Sequence, residues 1–129
     1  MRVQRFIVPG PTPSLNEIIA AAKVRYGGRG GGAYSKMKRT WTERIAGIIK
    51  KKRIKQIPGQ FSIKITVHEK NRRRDPDNIS AGAFKFILDA LVMTGTIVDD
   101  SQKYVKSLEF VLGVPNKNNP NIVVELMEE

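Results

Sequence analysis

Three short acidic elements interrupt an otherwise strongly basic chain: Asp75-Pro76-Asp77-Asn78, then Asp89, then Asp99-Asp100. Just upstream of the first lies Lys70-Asn71-Arg72-Arg73-Arg74, one of the most cationic stretches of the protein. Phosphates are drawn to arginine and repelled by bare carboxylate. A site offering both usually holds a divalent cation between the carboxylates and the phosphate, the arrangement that metal-assisted hydrolysis of a phosphodiester requires.

Each acidic element also has a plainer use. Asp75 precedes a proline, which pushes its backbone out of the α region, so it belongs to the end of a strand or to a turn. Asp77 or Asn78 is then positioned to cap a helix. Two carboxylates in D-x-D on an extended segment can share a cation, but DPDN is equally a turn followed by a cap. Asp99-Asp100 follows Gly95-Thr96-Ile97-Val98, a tight return after a helix. Acids brought close together repel unless neutralised, and magnesium binds through a few carboxylates, water and substrate phosphate. A solvated acidic turn is the alternative. Lys85 lies one turn before Asp89; it either meets a phosphate or pairs with Asp89, a pairing that contributes only about 0.2–0.5 kcal/mol.

Length and composition narrow the classes. The 129 residues suffice for one domain with a core, spanning 1–129, and are too few for two. Hydrophobic content of 40% and charged content of 27% are globular values. A net charge of +11 favours a polyanionic partner, nucleic acid first and anionic membrane second, beside the simpler possibility of a basic soluble surface. The absence of cysteine excludes disulfides and thiolate metal sites. The N-terminal residues lack the apolar run of a signal peptide and nothing approaches a membrane span, so a soluble, cytoplasmic protein is expected.

The elements that must position these residues follow from periodicity. Arg2 to Val8 reads as a strand, stopped by Pro9-Gly10-Pro11-Thr12-Pro13. Ser14-Leu15-Asn16-Glu17 is a capping box, starting one or two helical turns over Ile18 to Val24. Gly27-Gly28-Arg29-Gly30-Gly31-Gly32 lacks the lysine-serine ending of a phosphate loop and reads as a flexible loop or linker at the edge of a DNA surface. Tyr34 to Lys55 is expected to be helical, with Trp41, Ile45, Ile48 and Ile49 as its apolar stripe and a markedly basic other face. Phe61 to Glu69 alternates as a half-buried strand, leaving His68 on the polar side as an ordinary surface residue. Asn78 to Met93 turns helical, with Ala83, Phe84, Ile87, Leu88 and Leu91 on one arc and Asn78, Lys85 and Asp89 opposite; Gly95 closes it. Tyr104 to Val114 and Asn121 to Met127 are two more strands, the first with Leu108, Phe110, Leu112 and Val114 as its apolar face. The order β-α-β-α-β-β predicts an α+β domain: a small mixed sheet packed by two main helices.

The run Arg73-Arg74-Asp75-Pro76-Asp77-Asn78, then Lys85-x-x-x-Asp89-Ala90-Leu91, then Gly95 and Asp99-Asp100, resembles the RusA family of Holliday junction resolvases, found in bacteria and their phages. Pro9-Gly10-Pro11-Thr12-Pro13-Ser14-Leu15-Asn16 also looks like the proline-rich turn that follows the family's first strand. The resemblance implies that Asp75, Asp77 and Asp100 are catalytic ligands of Mg²⁺ or Mn²⁺, with Asp99 their neighbour. It implies a homodimeric endonuclease that resolves four-way DNA junctions by paired symmetric nicks, in recombination and repair. Lysine four residues after the second aspartate is the family's pattern; Ala81 stands there, and Lys85 comes one turn later, near the same face but about 6 Å further along the axis. Lys70, Arg72, Arg73 and Arg74 are expected to hold the DNA backbone without reading sequence. The competing expectation is a non-catalytic basic nucleic-acid-binding protein.

Overall fold

A computed structural model describes residues 2–24 and 32–129, so most of the glycine-rich stretch beginning at Gly27 lies outside the described residues. The elements run β1 (Val3–Pro9), α1 (Leu15–Ala22), α2 (Ala33–Lys51), β2 (Phe61–His68), α3 (Pro76–Met93), β3 (Val105–Leu112) and β4 (Asn121–Glu128). The strands form one mixed sheet in the order β1-β4-β2-β3. β4 is antiparallel to both β1 and β2, whereas β3 runs parallel to β2. The parallel pair follows from α3, a crossover helix that returns the chain to the starting end of β2 before β3 begins. The α+β architecture expected from the sequence is thus the one observed, and the short helix expected after the capping box is α1.

β2 is central and alternates as its sequence dictates: Phe61, Ile63, Ile65 and Val67 are buried, while Ser62, Lys64, Thr66 and His68 are only half-buried. The buried set joins Phe6 and Val8 of β1 and Ile122, Val124 and Leu126 of β4 in one core. Ile45 and Ile49 of α2 complete it, with Trp41 and Ile48 half-buried at its margin. On α3 the buried stripe is Ile79, Gly82, Ala83, Phe86, Ile87, Ala90 and Leu91. Ala83, Ile87 and Leu91 of the expected arc are buried, while Phe84 and Leu88 give way to Gly82, Phe86 and Ala90. Phe86 is fully buried and tilts against Trp41 with ring centroids 6.5 Å apart, whereas Phe84 and Leu88 are only partly covered. The sheet, α2 and α1 all pack on α3, and together they widen its buried face beyond the arc a single contact would need.

Helix ends correct one further boundary. Ser14 caps α1 through the reciprocal box with Glu17, as expected. α2 stops at Lys51 rather than at Lys55, because Arg53 adopts a left-handed conformation (φ 55°) and Ile54 N–H returns to the Ile49 carbonyl. That turn sends Ile57 into the core, where it bridges to Ile97. α3 ends in the same motif with the expected glycine: Gly95 has φ 70°, Gly95 N–H reaches the Val92 carbonyl and Thr96 N–H the Leu91 carbonyl.

The apolar face of β3 departs most from expectation. In register, Leu108, Phe110 and Leu112 lie beside Ile63, Ile65 and Val67, on the helix side of the sheet. Yet Leu108 is 52% exposed, Leu112 49% and Val114 76%. β3 is an edge strand, and the helices do not extend far enough to cover it.

One close approach fixes α3 against the proline turn. A Cβ on Gly82 would sit 1.9 Å from the Pro13 carbonyl oxygen and 3.2 Å from Ser14 Cα, backbone atoms with nowhere to go. Gly47, exposed on α2, has nothing within 4 Å of the same position. Gly82→Ala is expected to destabilise the fold by about 2–3 kcal/mol through overpacking, whereas Gly47→Ala stabilises it by about 1 kcal/mol through helix propensity. Urea denaturation of both variants checks the opposite signs.

Candidate metal and nucleic-acid site

Beyond β2 the chain makes a compact turn over 69–74. Asn116 N–H donates to the Glu69 carbonyl, and Arg73 N–H to the Asn71 side chain. Glu69 is buried, and Arg74 grips it with two parallel hydrogen bonds, Nε to Oε1 at 2.7 Å and Nη2 to Oε2 at 2.9 Å. The remaining guanidinium nitrogen donates to the Thr12 carbonyl at 2.9 Å and to Glu17 Oε1 at 3.1 Å. Burial works against the charge on Arg74, but the hydrogen bond and field of Glu69, with those of Glu17, outweigh it and raise its pKa. Arg74 thus ties the end of β2 to the proline turn and to the capping box of α1. Its donors are committed inside the protein, unlike those of Arg72, Arg73 and Lys70, which are exposed. The sequence grouped all four as phosphate contacts; the structure separates one of them as an internal clamp.

The clamp delivers Asp75 to the start of α3. Asp75 itself occupies the N-cap, extended at φ −75° and ψ 143°, and Pro76 takes the first helical position. Asp77 and Asn78 are therefore inside the first turn rather than capping it, since proline is preorganised for the first position and forces an extended residue before it. The Asp75 carboxylate makes no capping hydrogen bond. Among the described residues neither Asp75 nor Asp77 enters an ion pair, and both are exposed. Beside them is a polar cleft of about 170 Å³ lined by Ser14, Asn16, Arg73, Arg74, Asp75 and Asn78. Two helix starts, α1 and α3, face this cleft; beyond the N–H groups used by the capping box, those of Asn16 and Asn78 and the positive dipole ends favour an anion.

The other candidates lie further along α3. Lys85 Nζ is 3.2 Å from Asp89 Oδ2, and Lys38 Nζ of α2 is 3.9 Å from the same oxygen. That oxygen is buried and lacks a well-aligned hydrogen bond, so charge rather than hydrogen-bond geometry holds it. Partial burial opposes the charge on Lys85, but Asp89 foremost, then Tyr34 and Asp100, raise its pKa. Lys85 therefore pairs with Asp89, the second of the two uses its spacing allowed. Asp99 and Asp100 are exposed in the turn before β3; a hydrogen bond from Ser101, then the Asp100 backbone, lowers the pKa of Asp99. His68, half-buried, donates from Nδ1 to the Val114 carbonyl at 2.8 Å.

The two acidic pairs sit at opposite ends of the domain. Asp75 borders a cavity it shares with Val67 and Leu112, where β2 and β3 end. Asp99-Asp100 follow Ile97, which bridges to Ile57 before β2 begins. Between them α3 extends eighteen residues, about 27 Å. Magnesium needs its ligands at about 2.1 Å. Asp75, Asp77 and Asp100 of one chain do not meet that requirement together, and among the described residues no group of three or more acidic, histidine or cysteine side chains does. No helix among the described residues is long and apolar enough to cross a membrane. The chain matches no protein-family model, and no curated protein matches it.

Removing the clamp leaves the buried Glu69 carboxylate uncompensated. Arg74→Met is expected to cost about 3 kcal/mol, the low end for a broken buried pair because the Arg74 side chain is 24% exposed. The double variant Arg74→Met/Glu69→Leu should recover most of that loss. Chemical denaturation of the two variants measures it, and a single-variant loss below about 1 kcal/mol would contradict the assigned role.

Proposed function

We propose that this protein is a metal-dependent, structure-selective endodeoxyribonuclease of the RusA type, resolving four-way DNA junctions by paired nicks in recombination and repair. It acts in the cytoplasm as a homodimer and uses Mg²⁺, with Mn²⁺ as a substitute. The observation that carries this reading is the pair of free, exposed carboxylates at Asp75 and Asp77, set at the start of α3 beside a polar cleft and exposed arginines. Carboxylates serving only as a cap would bond the helix N–H groups, and Asp75 does not.

The chain's own residues divide the labour. Lys70, Arg72 and Arg73 attract the phosphate backbone, and the open N–H groups of α1 and α3 orient a phosphate in the cleft. Exposed lysines and arginines along α2, among them Lys36, Arg39, Arg44, Lys50 and Lys51, extend the cationic surface. Such contacts do not discriminate sequence, which suits selection of DNA by shape. Arg74 holds the turn that presents Asp75. Lys85 keeps Asp89 neutralised and stands near Asp100.

The second reading, a non-catalytic nucleic-acid-binding protein, is favoured by the 18-residue helix between the acidic pairs. Synthetic four-way junctions decide between the two. Wild type is expected to nick them with Mg²⁺ and not with chelator. Asp75→Asn, Asp77→Asn and Asp100→Asn should each reduce nicking by at least about 100-fold, equivalent to several kcal/mol of lost transition-state stabilisation, while junction binding persists. Binding without nicking by wild type in either Mg²⁺ or Mn²⁺ would remove the enzyme reading and leave the binder.

A further inference from the structure

Trp41 is the chain's single tryptophan, and its place in the apolar stripe of α2 suits a core residue, yet it is only half-buried. Two neighbours hold the indole in position. Phe86 tilts against it with ring centroids 6.5 Å apart, and the Arg44 guanidinium lies 4.4 Å from its centroid. The part of the ring left uncovered opens on a cavity of about 660 Å³ between α2 and the start of α1. Pro13, Met37 and Trp41 give this cavity apolar walls, and exposed Glu17, Lys36 and Thr40 give it a polar border. Its size is that of a site for a small organic group. A fixed aromatic, a polarisable thioether and a lysine together suit a flat heterocycle attached to a negative charge.

The cavity adjoins the polar cleft at the start of α3. Pro13 lines the one and Ser14 the other, and Arg74 in the cleft wall donates to Glu17 in the cavity wall at 3.1 Å. We infer that the cavity takes one unpaired base of a nucleic-acid strand whose backbone phosphate lies in that cleft. This rests on the reading of the chain as a protein that binds nucleic acid, and it holds whether or not the strand is cut. Bases inside a duplex are stacked and paired, so only a single strand or an opened branch point presents one. The base packs against Met37 and the uncovered part of the indole, a contact that accepts any base because each has a π face. A ring already held by Phe86 and Arg44 loses little freedom on binding, which favours it. Charges also match. Exposed Lys36 beside the cavity and Arg73 beside the cleft attract the backbone, while the Glu17 charge is met by Arg74 and does not repel it. Such a cavity selects opened DNA over plain duplex without reading sequence.

Fluorescence titration of the full chain tests this, because the single tryptophan reports on its own cavity. At one fixed salt concentration, a thymidine decamer should quench Trp41 emission. It should also bind at least about fivefold more tightly than an abasic decamer with the same phosphates, the low end of what one stacked base contributes. Thr40→Lys sends a longer, positively charged side chain into the cavity from an exposed helix position, with circular dichroism confirming that the variant is folded. This variant should bind the abasic oligomer more tightly than wild type does, through its added charge. Yet it should lose the quenching and bring the two oligomers to within about twofold of each other. Equal wild-type affinities for the two oligomers, no quenching by the thymidine oligomer, or undiminished discrimination in Thr40→Lys would each overturn the inference while leaving the nucleic-acid reading intact. Binding of neither oligomer would overturn both.

Discussion

Helix α3 is a rigid spacer, and every candidate residue takes its position from it. Its start is fixed three ways: Pro76 sets the first turn, the Arg74–Glu69 clamp holds the preceding turn, and Gly82 lets the helix touch the Pro13 carbonyl. Its end is fixed by the left-handed Gly95 and the two carbonyls that Gly95 and Thr96 satisfy. A helix so anchored between sheet and α2 does not shorten. Acids placed before and after it are therefore held apart within one chain.

The same rigidity sorts charged residues by use. Arg74 and Lys85 both lie in the cationic neighbourhood of α3, yet each is matched to an internal carboxylate, Glu69 or Asp89, that would otherwise be a buried charge without a partner. The arginines free to meet a phosphate are those beside them, Arg72 and Arg73. Because internal pairing consumes some acids and bases in equal number, the large positive excess of the chain is concentrated on its surface, where it steers a polyanion.

Much of the fold was legible because alternation in β2 and the capping signals at Ser14 and Gly95 are local. Ile63, Ile65 and Val67 could be assigned to the core from period alone, and Gly95 from its place after the last apolar turn. What failed depended on neighbours. The burial of Phe86 requires α2 on a second side of α3, and the left-handed turn at Arg53 comes from returning Ile54 and Ile57 to the core. The alternation of Leu108, Phe110 and Leu112 identified a strand face correctly, but not that the strand stands at an edge, since strand order is set by the α3 crossover and by β4 inserting between β1 and β2. At the candidate site, D-x-D at a helix start was readable. The inward turn of Arg74 was not, because its partners Thr12 and Glu17 are remote in sequence; Glu69, five residues before it, was the one available signal. The separation of Asp100 from Asp75 was in principle calculable from helix length, which a tight return after Gly95 does not undo.

The location of a bound cation puts the whole arrangement at stake in one observation. Crystals grown with Mn²⁺ and measured at the manganese absorption edge should show an anomalous peak at the Asp75 and Asp77 carboxylates if the proposed nuclease reading holds. A peak only away from these carboxylates, or no peak at all, would contradict it.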